Sequence, residues 1–384
     1  MLSGDSRHRG PLTDLALQLA AASSGFRRSL PTGVAAPLAD LVRNMNCYYS
    51  NLIEGHYTHP VDIERALHND YSAERGKRNL QLEAKAHVSV QQWVDGDGVS
   101  GRWTTVEAIR ELHRRFCEQL PADLLVVTNP ETKKETKVVP GELRHEDVRV
   151  GNHFAVSPGA VPRFMKRFNE VYGSLGQTEK ILSAAAAHHR FLWIHPFLDG
   201  NGRVARLMSH AALLETLDTG ALWSVARGLA RRVDDYKMHL MACDQSRRND
   251  LDGRGNLSEE ALASFTTFFL EVCLDQVRFM EGLVQPARLR DRIAVWVQEE
   301  IRAGALPKNA GVVLEAALFR GELPRGDVAE LLGTGDRHAR RTVSALLERG
   351  VLVSASSRAP LSITFPAVLA SRWMPGLFPD QANT

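Results

Sequence analysis

The sequence predicts a mainly α-helical protein: a helical bundle with one β excursion, followed by a small α+β unit. Three observations carry this expectation. Apolar residues recur three and four apart through most of the chain before Pro286. The texture turns to short β-prone runs around turn residues between Leu124 and Gly159. Beyond Pro286, helical segments separated by glycines lead into two strand-like runs around a turn.

The elements follow in order. Residues 1–36 are rich in Ala, Ser and Gly and read as a loosely held, flexible arm. The region 37–107 turns helical at Pro37. There "LADLVRNMNCYYSNLIEG" sets Leu38, Leu41, Val42 and Met45 at helical spacing and ends at Gly55, a residue suited to a helix C-cap. "VDIERALHND" and "NLQLEAKAHVSVQQWVDGDG" read as two further helices, the second closed by Gly96 and Gly98. The core, 108–285, begins within "TVEAIRELHRRFCEQL". The runs Leu124 to Thr128 and Val148 to Val150 predict a hairpin. Helices resume with "VPRFMKRFNEVYGSL", "EKILSAAAAHHRFLWIH" and "GRVARLMSHAALLETL", and "ALASFTTFFLEVCLDQVRFMEGLV" is long and strongly apolar.

The last unit, 286–384, opens on the amphipathic "DRIAVWVQEEIRAG". "GVVLEAALFRG", "PRGDVAELLG" and "GDRHARRTVSALLERG" give three short helices, and "VLVSASSRAPLSITFP" two strands. Helix, helix, helix, hairpin is the order of a winged helix-turn-helix.

Composition excludes several classes. Hydrophobic residues at 44% and charged residues at 24% are ordinary for a globular protein, and a net charge of +2 gives no global pull toward nucleic acid or membrane. Cys47, Cys117, Cys243 and Cys273 form no CxxC pair, so neither a zinc ribbon nor a disulfide framework is expected. The apolar run Leu15 to Ala22 is too brief for a membrane span or a signal peptide. A cytoplasmic location without membrane contact is the expectation.

Chemistry concentrates in "IHPFLDGNGRVAR", Ile194 to Arg206. Gly200, Asn201 and Gly202 stand at a helix start, where glycines let successive N–H groups converge on one anion and the helix dipole adds positive charge. That is a phosphate cradle, in a chain without the GxxxxGK[ST] loop. Arg203 and Arg206, three apart, project from one helical face and suit a polyphosphate. Asp199 would repel phosphate unless a divalent ion such as Mg²⁺ sits between them. His195 stands where an imidazole can take a proton from an attacking hydroxyl, and Phe197 anchors the loop in the core. The bland alternative is a capped loop with a nearby Asp–Arg salt bridge.

"HPFLDGNGRVAR" fits H-x-F-x-[D/E]-G-N-G-R-x-x-R, and the chain here resembles the Fic-domain family. The resemblance covers roughly Pro37 to Val284. It implies a Fic-type α-helical bundle with a β-hairpin flap, and protein adenylyltransferase activity: AMP passes from Mg-ATP to a Ser, Thr or Tyr hydroxyl of a target protein, or of the enzyme itself. By motif position His195 is the general base, Asp199 holds Mg²⁺, Gly200, Asn201 and Gly202 form the anion hole, and Arg203 and Arg206 grip the phosphates. "GELRHEDVRVGNHFAVSPGAVPRFM" resembles the flap that docks the target, at about 141–156. "RRVDDYKMHL" sits where relatives carry a Tyr-Tyr pair at the adenine pocket. Here Tyr236 alone remains beside Asp235, with a plain core role as the alternative.

"SNLIEG" matches the [S/T]-x-x-x-E-[G/N] inhibitory motif of the class with an N-terminal inhibitory helix, here about 38–55. Ser50 and Glu54 share a helical face. The resemblance implies that Glu54 pairs with Arg206 and blocks seating of the γ-phosphate. A solvated helix-end acid is the bland reading, although an acid against the dipole makes more sense if an arginine awaits it.

Two features are decoys. His188 and His189, with His195, suggest a metal hydrolase, but neither an HD dipeptide nor HExxH occurs. "DLDGRGNLSEEA" suggests a calcium loop, but Arg254 and Ala261 stand at ligand positions. Rival functions remain open: a DNA-binding regulator in which the Fic core is a sensor, with Arg337, His338, Arg340 and Arg341 on the recognition helix; a protein-binding or dimerising winged helix; and removal of AMP through a Glu54-oriented water. A homo-oligomer is left open.

Overall fold

The computed structural model describes residues 1–129, 132–217 and 219–379. Pro130 and Glu131, inside the expected hairpin, lie outside the described residues, as do Asp218 and positions 380–384. The chain divides into two compact units: residues 1–24 with 46–277, and residues 25–45 with 278–384. The boundaries therefore differ from the expected ones at 37 and 286.

The expected flexible arm is instead ordered. α1 runs Arg9–Ser29, with Leu12, Ala16 and Leu19 buried at helical spacing. Trp223 Nε1 donates to Ser23 Oγ at 3.0 Å, fixing that helix to the first unit. The small-residue composition is compatible with close helix packing, and the four-then-three apolar spacing decides the outcome.

α2 (Thr32–Ile53) carries Pro37 in its first turns and ends before Gly55, which adopts φ +83°. α3 (Pro60–Leu67) and α4 (Arg75–Asp95) pack on one another. α5 (Val106–Cys117) starts at a Thr105 hydroxyl that accepts from Ala108 N and buries Ile109, Leu112 and Phe116 on one face.

The β excursion contains two short antiparallel pairs, where one hairpin was expected. β1 (Val126–Thr128) pairs with β2 (Glu135–Lys137), and β3 (Arg149–Val150) with β4 (His153–Phe154). Gly151, at φ +59°, supplies the left-handed residue of the second turn. α6 (Val161–Tyr172) leads into α7 (Gln177–Ile194), which packs along α8 (Asn201–Leu217). Ala184 to Ala187 on α7 are all buried, and their small side chains let the two helices approach closely. α4 and α5 also lie against α8, so the helix leaving the motif is the centre of this unit. α9 (Val225–Arg231), α10 (Val233–Cys243) and α11 (Glu259–Leu283) follow. None of the four cysteines is bridged, and all are buried.

In the second unit, α12 (Pro286–Arg302), α13 (Ala310–Arg320), α14 (Asp327–Leu332) and α15 (Asp336–Glu348) appear in the predicted order. β5 (Leu352–Val353) pairs with β6 (Ser362–Ile363), and α16 (Ala370–Trp373) closes the unit. Trp296 meets Trp373 edge-on at 5.2 Å over a core that includes Leu314, Leu346 and Ile363.

Candidate active site

His195 caps α7 in a left-handed conformation, φ 52° and ψ 64°. Its Nδ1 lies 3.2 Å from the Leu192 carbonyl, which can only accept. Nδ1 therefore carries the proton, and Nε2 is left as a basic lone pair. Burial pushes the imidazole down to about pKa 4, against the opposing pull of the Leu192 bond, so the ring is neutral near pH 7.

The loop after His195 is clasped from several directions. Arg144, itself buried, donates through Nε to the His195 carbonyl at 2.7 Å and through Nη1 to the Glu146 carbonyl at 2.8 Å, with Nη2 on Val156. It ties both ends of the β3–β4 flap to the motif. Phe197 is fully buried and stacks on His113 at 3.9 Å. His113 Nδ1 accepts from Gly141 N at 2.9 Å, so its Nε2 is the protonated nitrogen, facing the Asp199 carbonyl at 3.2 Å. Burial lowers this ring to about pKa 4.

Gly200 takes φ +79°, a value open to glycine, and α8 begins there: Val204 N is bonded to the Gly200 carbonyl at 3.0 Å. The N–H groups of Asn201, Gly202 and Arg203 precede that first bond and lack an intrahelical partner, which makes the helix start an anion seat. The Asn201 side chain has a structural duty of its own. Its Oδ1 accepts from Phe197 N at 3.0 Å and its Nδ2 donates to the Phe197 carbonyl at 2.9 Å, so it closes the loop on itself. Its contribution to the cradle is its backbone. A Cβ on Gly202 would collide with the Glu54 carboxylate, so the carboxylate lies against the cradle itself.

Both arginines are buried. Arg206 Nε donates to Ser50 Oγ at 2.8 Å, and Nη2 donates to the Ser50 carbonyl at 3.1 Å and to Glu54 Oε1 at 2.5 Å. Burial pushes the Glu54 carboxyl up, but the charge and hydrogen bond of Arg206 outweigh it, and the group is held below its ordinary value. Arg203 lies over the Phe116 ring at 4.8 Å, donates to Glu83, and reaches Asp199 Oδ2 at 3.2 Å. Its Nε is buried without a partner.

Asp199 is half exposed on its side chain. Among the described residues, no group of three or more His, Cys, Asp or Glu side chains is arranged to hold a metal. The donor set fits an ion held by one carboxylate and by phosphate oxygens, as Mg²⁺ is commonly held.

Tyr236 lies in the core: its hydroxyl is 2.6 Å from His188 Nε2, while His188 Nδ1 is 2.8 Å from Ser209 Oγ. Because the Ser209 hydroxyl donates to the Ala205 carbonyl, it accepts from His188 Nδ1, and Tyr236 donates to Nε2. Every position on this imidazole is thus satisfied without a metal. His189 is likewise bonded to Asp244 Oδ1, at 2.9 Å. In the calcium-like loop, Asp252 Oδ1 instead accepts from Glu260 N and Ser258 Oγ, a helix-cap arrangement.

Sequence reasoning assembled His195, Asp199, Arg203, Arg206, Ser50 and Glu54, and the fold brings them together. It missed Glu83, His113 and Arg144. The signal for the first two was an ionisable residue among buried positions of α4 and α5; Arg144 offered none.

A buried neutral imidazole, a helix-start anion seat and two buried arginines thus lie within one unit of the fold. Residues 103–213 match the family model described as the Fic/DOC family, and the chain carries a Fic domain. It is 31% identical over 169 residues to the protein adenylyltransferase Fic of Drosophila mojavensis, covering 44% of this chain and 31% of that one. To the protein of the same name from Drosophila willistoni it is 35% identical over 114 residues, 29% of this chain and 20% of the relative. The chain thus spans at most about a third of the length of these curated relatives. A crystal structure of a Fic family protein from Desulfovibrio desulfuricans shares the fold at a TM-score of 0.55 and 15% identity, over 94% of this chain and 97% of that one.

Proposed function

We propose that the protein is an adenylyltransferase that moves AMP from Mg-ATP to a Ser, Thr or Tyr hydroxyl of a target protein, and that Glu54 holds it off. The observation that carries this is one loop and helix start presenting a base with a fixed tautomer, a set of free N–H groups and two arginines, with Glu54 seated on the second arginine. Relatives named as adenylyltransferases support the chemistry.

In the reaction, the target hydroxyl oxygen forms a bond to the α-phosphorus of ATP, and the bond from that phosphorus to the bridging oxygen breaks. Pyrophosphate leaves, and the hydroxyl proton goes to His195 Nε2. The backbone N–H groups of Asn201, Gly202 and Arg203 receive phosphate oxygens, and Arg203 Nε, now without a partner, is a further donor. Asp199 would hold Mg²⁺, which when bound neutralises phosphate charge. The β3–β4 edge, with Val150 and Phe154 exposed, adds the target as a further strand. Arg206 reaches phosphate only when Glu54 lets go.

Replacing Glu54 by Gly is expected to start self-labelling from radiolabelled ATP with Mg²⁺, and replacing His195 by Ala in that background to abolish it. Absence of labelling from the Glu54→Gly protein removes the proposal.

A second activity is proposed for the C-terminal unit, where Arg337, His338, Arg340 and Arg341 stand exposed on α15. They suit phosphate or major-groove contacts of a winged helix on duplex DNA. Salt-dependent retention of the full chain on duplex DNA, reduced by the paired change Arg340→Ala and Arg341→Ala, is the expected result. Salt-independent or absent retention removes it.

A further inference from the structure

Arg203 is held from a side that the motif does not provide. Glu83, on α4, is 2% exposed and its Oε1 accepts from Arg203 Nη1. Its other oxygen, Oε2, is 2.7 Å from Nδ1 of His56, two residues beyond Glu54. Both carboxylate oxygens therefore have partners, and neither partner is on α4. An isolated carboxylate in such a place costs several kcal/mol, and a buried ion pair is often no better for stability than an apolar pair of the same volume. What the pair supplies is direction. A guanidinium is a rigid planar fork, so fixing Nη1 fixes the plane of the whole group.

The alternative partner is at hand. Asp199 Oδ2 lies 3.2 Å from Arg203 Nη2 and is half exposed. Without Glu83, both terminal nitrogens would be drawn to Asp199. Its charge would then be cancelled by an arginine, and the Nε donor turned with the fork.

We infer that Glu83 is a positioning residue for Arg203: it orients the guanidinium toward nucleotide phosphate and keeps it from closing over Asp199. The inference rests on the phosphate role proposed for Arg203. Glu83 touches no substrate and acts only through the arginine.

The test uses the full chain with Glu54→Gly and His195→Ala, which binds nucleotide without turnover. Mg-ATP affinity is measured by titration calorimetry. Glu83→Ala is expected to raise Kd about tenfold or more, and Glu83→Gln, which keeps an acceptor for Nη1, about threefold. His56→Ala, at a half-exposed position, is expected to raise it about twofold. With His195 restored, the same changes should raise KM for ATP while kcat stays within about threefold. Equal Kd in the Glu83 variants and their parent overturns the inference, and so does tighter binding, which would make Glu83 a competitor of phosphate. A parent that binds no Mg-ATP would instead remove the proposed function, so the two failures are distinct.

Discussion

Arg206 Nη2 donates to Glu54 Oε1 at 2.5 Å, although the two residues lie 152 positions apart in the chain. The same nitrogen also bonds the Ser50 carbonyl, and Nε bonds the Ser50 hydroxyl, so three acceptors from the end of α2 converge on one guanidinium. Nε and Nη2 are thereby occupied, and Nη1 alone among the guanidinium nitrogens keeps its donors for another acceptor. The inhibition proposed for Glu54 would then work through hydrogen-bond occupancy as well as through charge.

Ser50 should therefore matter in its own right. Ser50→Ala removes the acceptor of Arg206 Nε and leaves a buried donor unmatched, at a cost of about 1–3 kcal/mol. The expected outcome is a lower melting temperature together with basal self-labelling a few-fold above the wild type, yet below that of Glu54→Gly. Unchanged labelling would confine Ser50 to a structural part.

Arg144 joins the flap to the loop that carries His195. Arg144→Ala leaves the carbonyls of His195, Glu146 and Val156 without their shared donor. In the Glu54→Gly background it should reduce labelling of self or target by tenfold or more. Hydrogen exchange should rise in β3 and β4 while α7 and α8 keep their protection.

His113→Phe separates stacking from hydrogen bonding. The new ring can still lie on Phe197, but the links to Gly141 N and the Asp199 carbonyl are lost. Labelling in the Glu54→Gly background should fall about tenfold with only a modest loss of stability. Denaturant titration alongside the labelling assay checks both halves.

Acid should destabilise the protein in a defined window. Burial lowers His87 and His188 to about pKa 3 and His195 to about pKa 4. Around His87 the charges of Arg203, Arg206 and His210 act in the same direction. For each group the folded state binds its proton less readily than the unfolded chain, so unfolding takes up protons below about pH 6.5. Stability is then full above that pH and falls by up to about 1.4 kcal/mol per pH unit for each such histidine as pH drops toward 4. Melting curves between pH 4 and pH 8 test this. Over roughly pH 6.5–8, where His195 stays neutral, labelling by Glu54→Gly should be nearly flat.

The parts of the site legible in advance were those with local spacing. A histidine, an acid, two glycines and two arginines within twelve residues need no tertiary knowledge, and the Ser50–Glu54 pair needs only a helical face. Glu83 was not legible, because its meaning lies in a partner 120 positions away. Arg144 has main-chain partners, which no side-chain pattern announces. The same blindness affected the N-terminal helix: composition suggested an arm, while Leu12, Ala16 and Leu19 already had the spacing of a packed face. In the C-terminal unit, glycines between short helices made the element order readable.

The left-handed backbone of His195 has one more consequence. Such a conformation costs a residue with a Cβ about 1–2 kcal/mol, a cost glycine escapes. The protein that loses its base through His195→Gly should thus regain part of that energy and melt above His195→Ala. Durability and the base proposed for the transfer therefore pull in opposite directions at this one position.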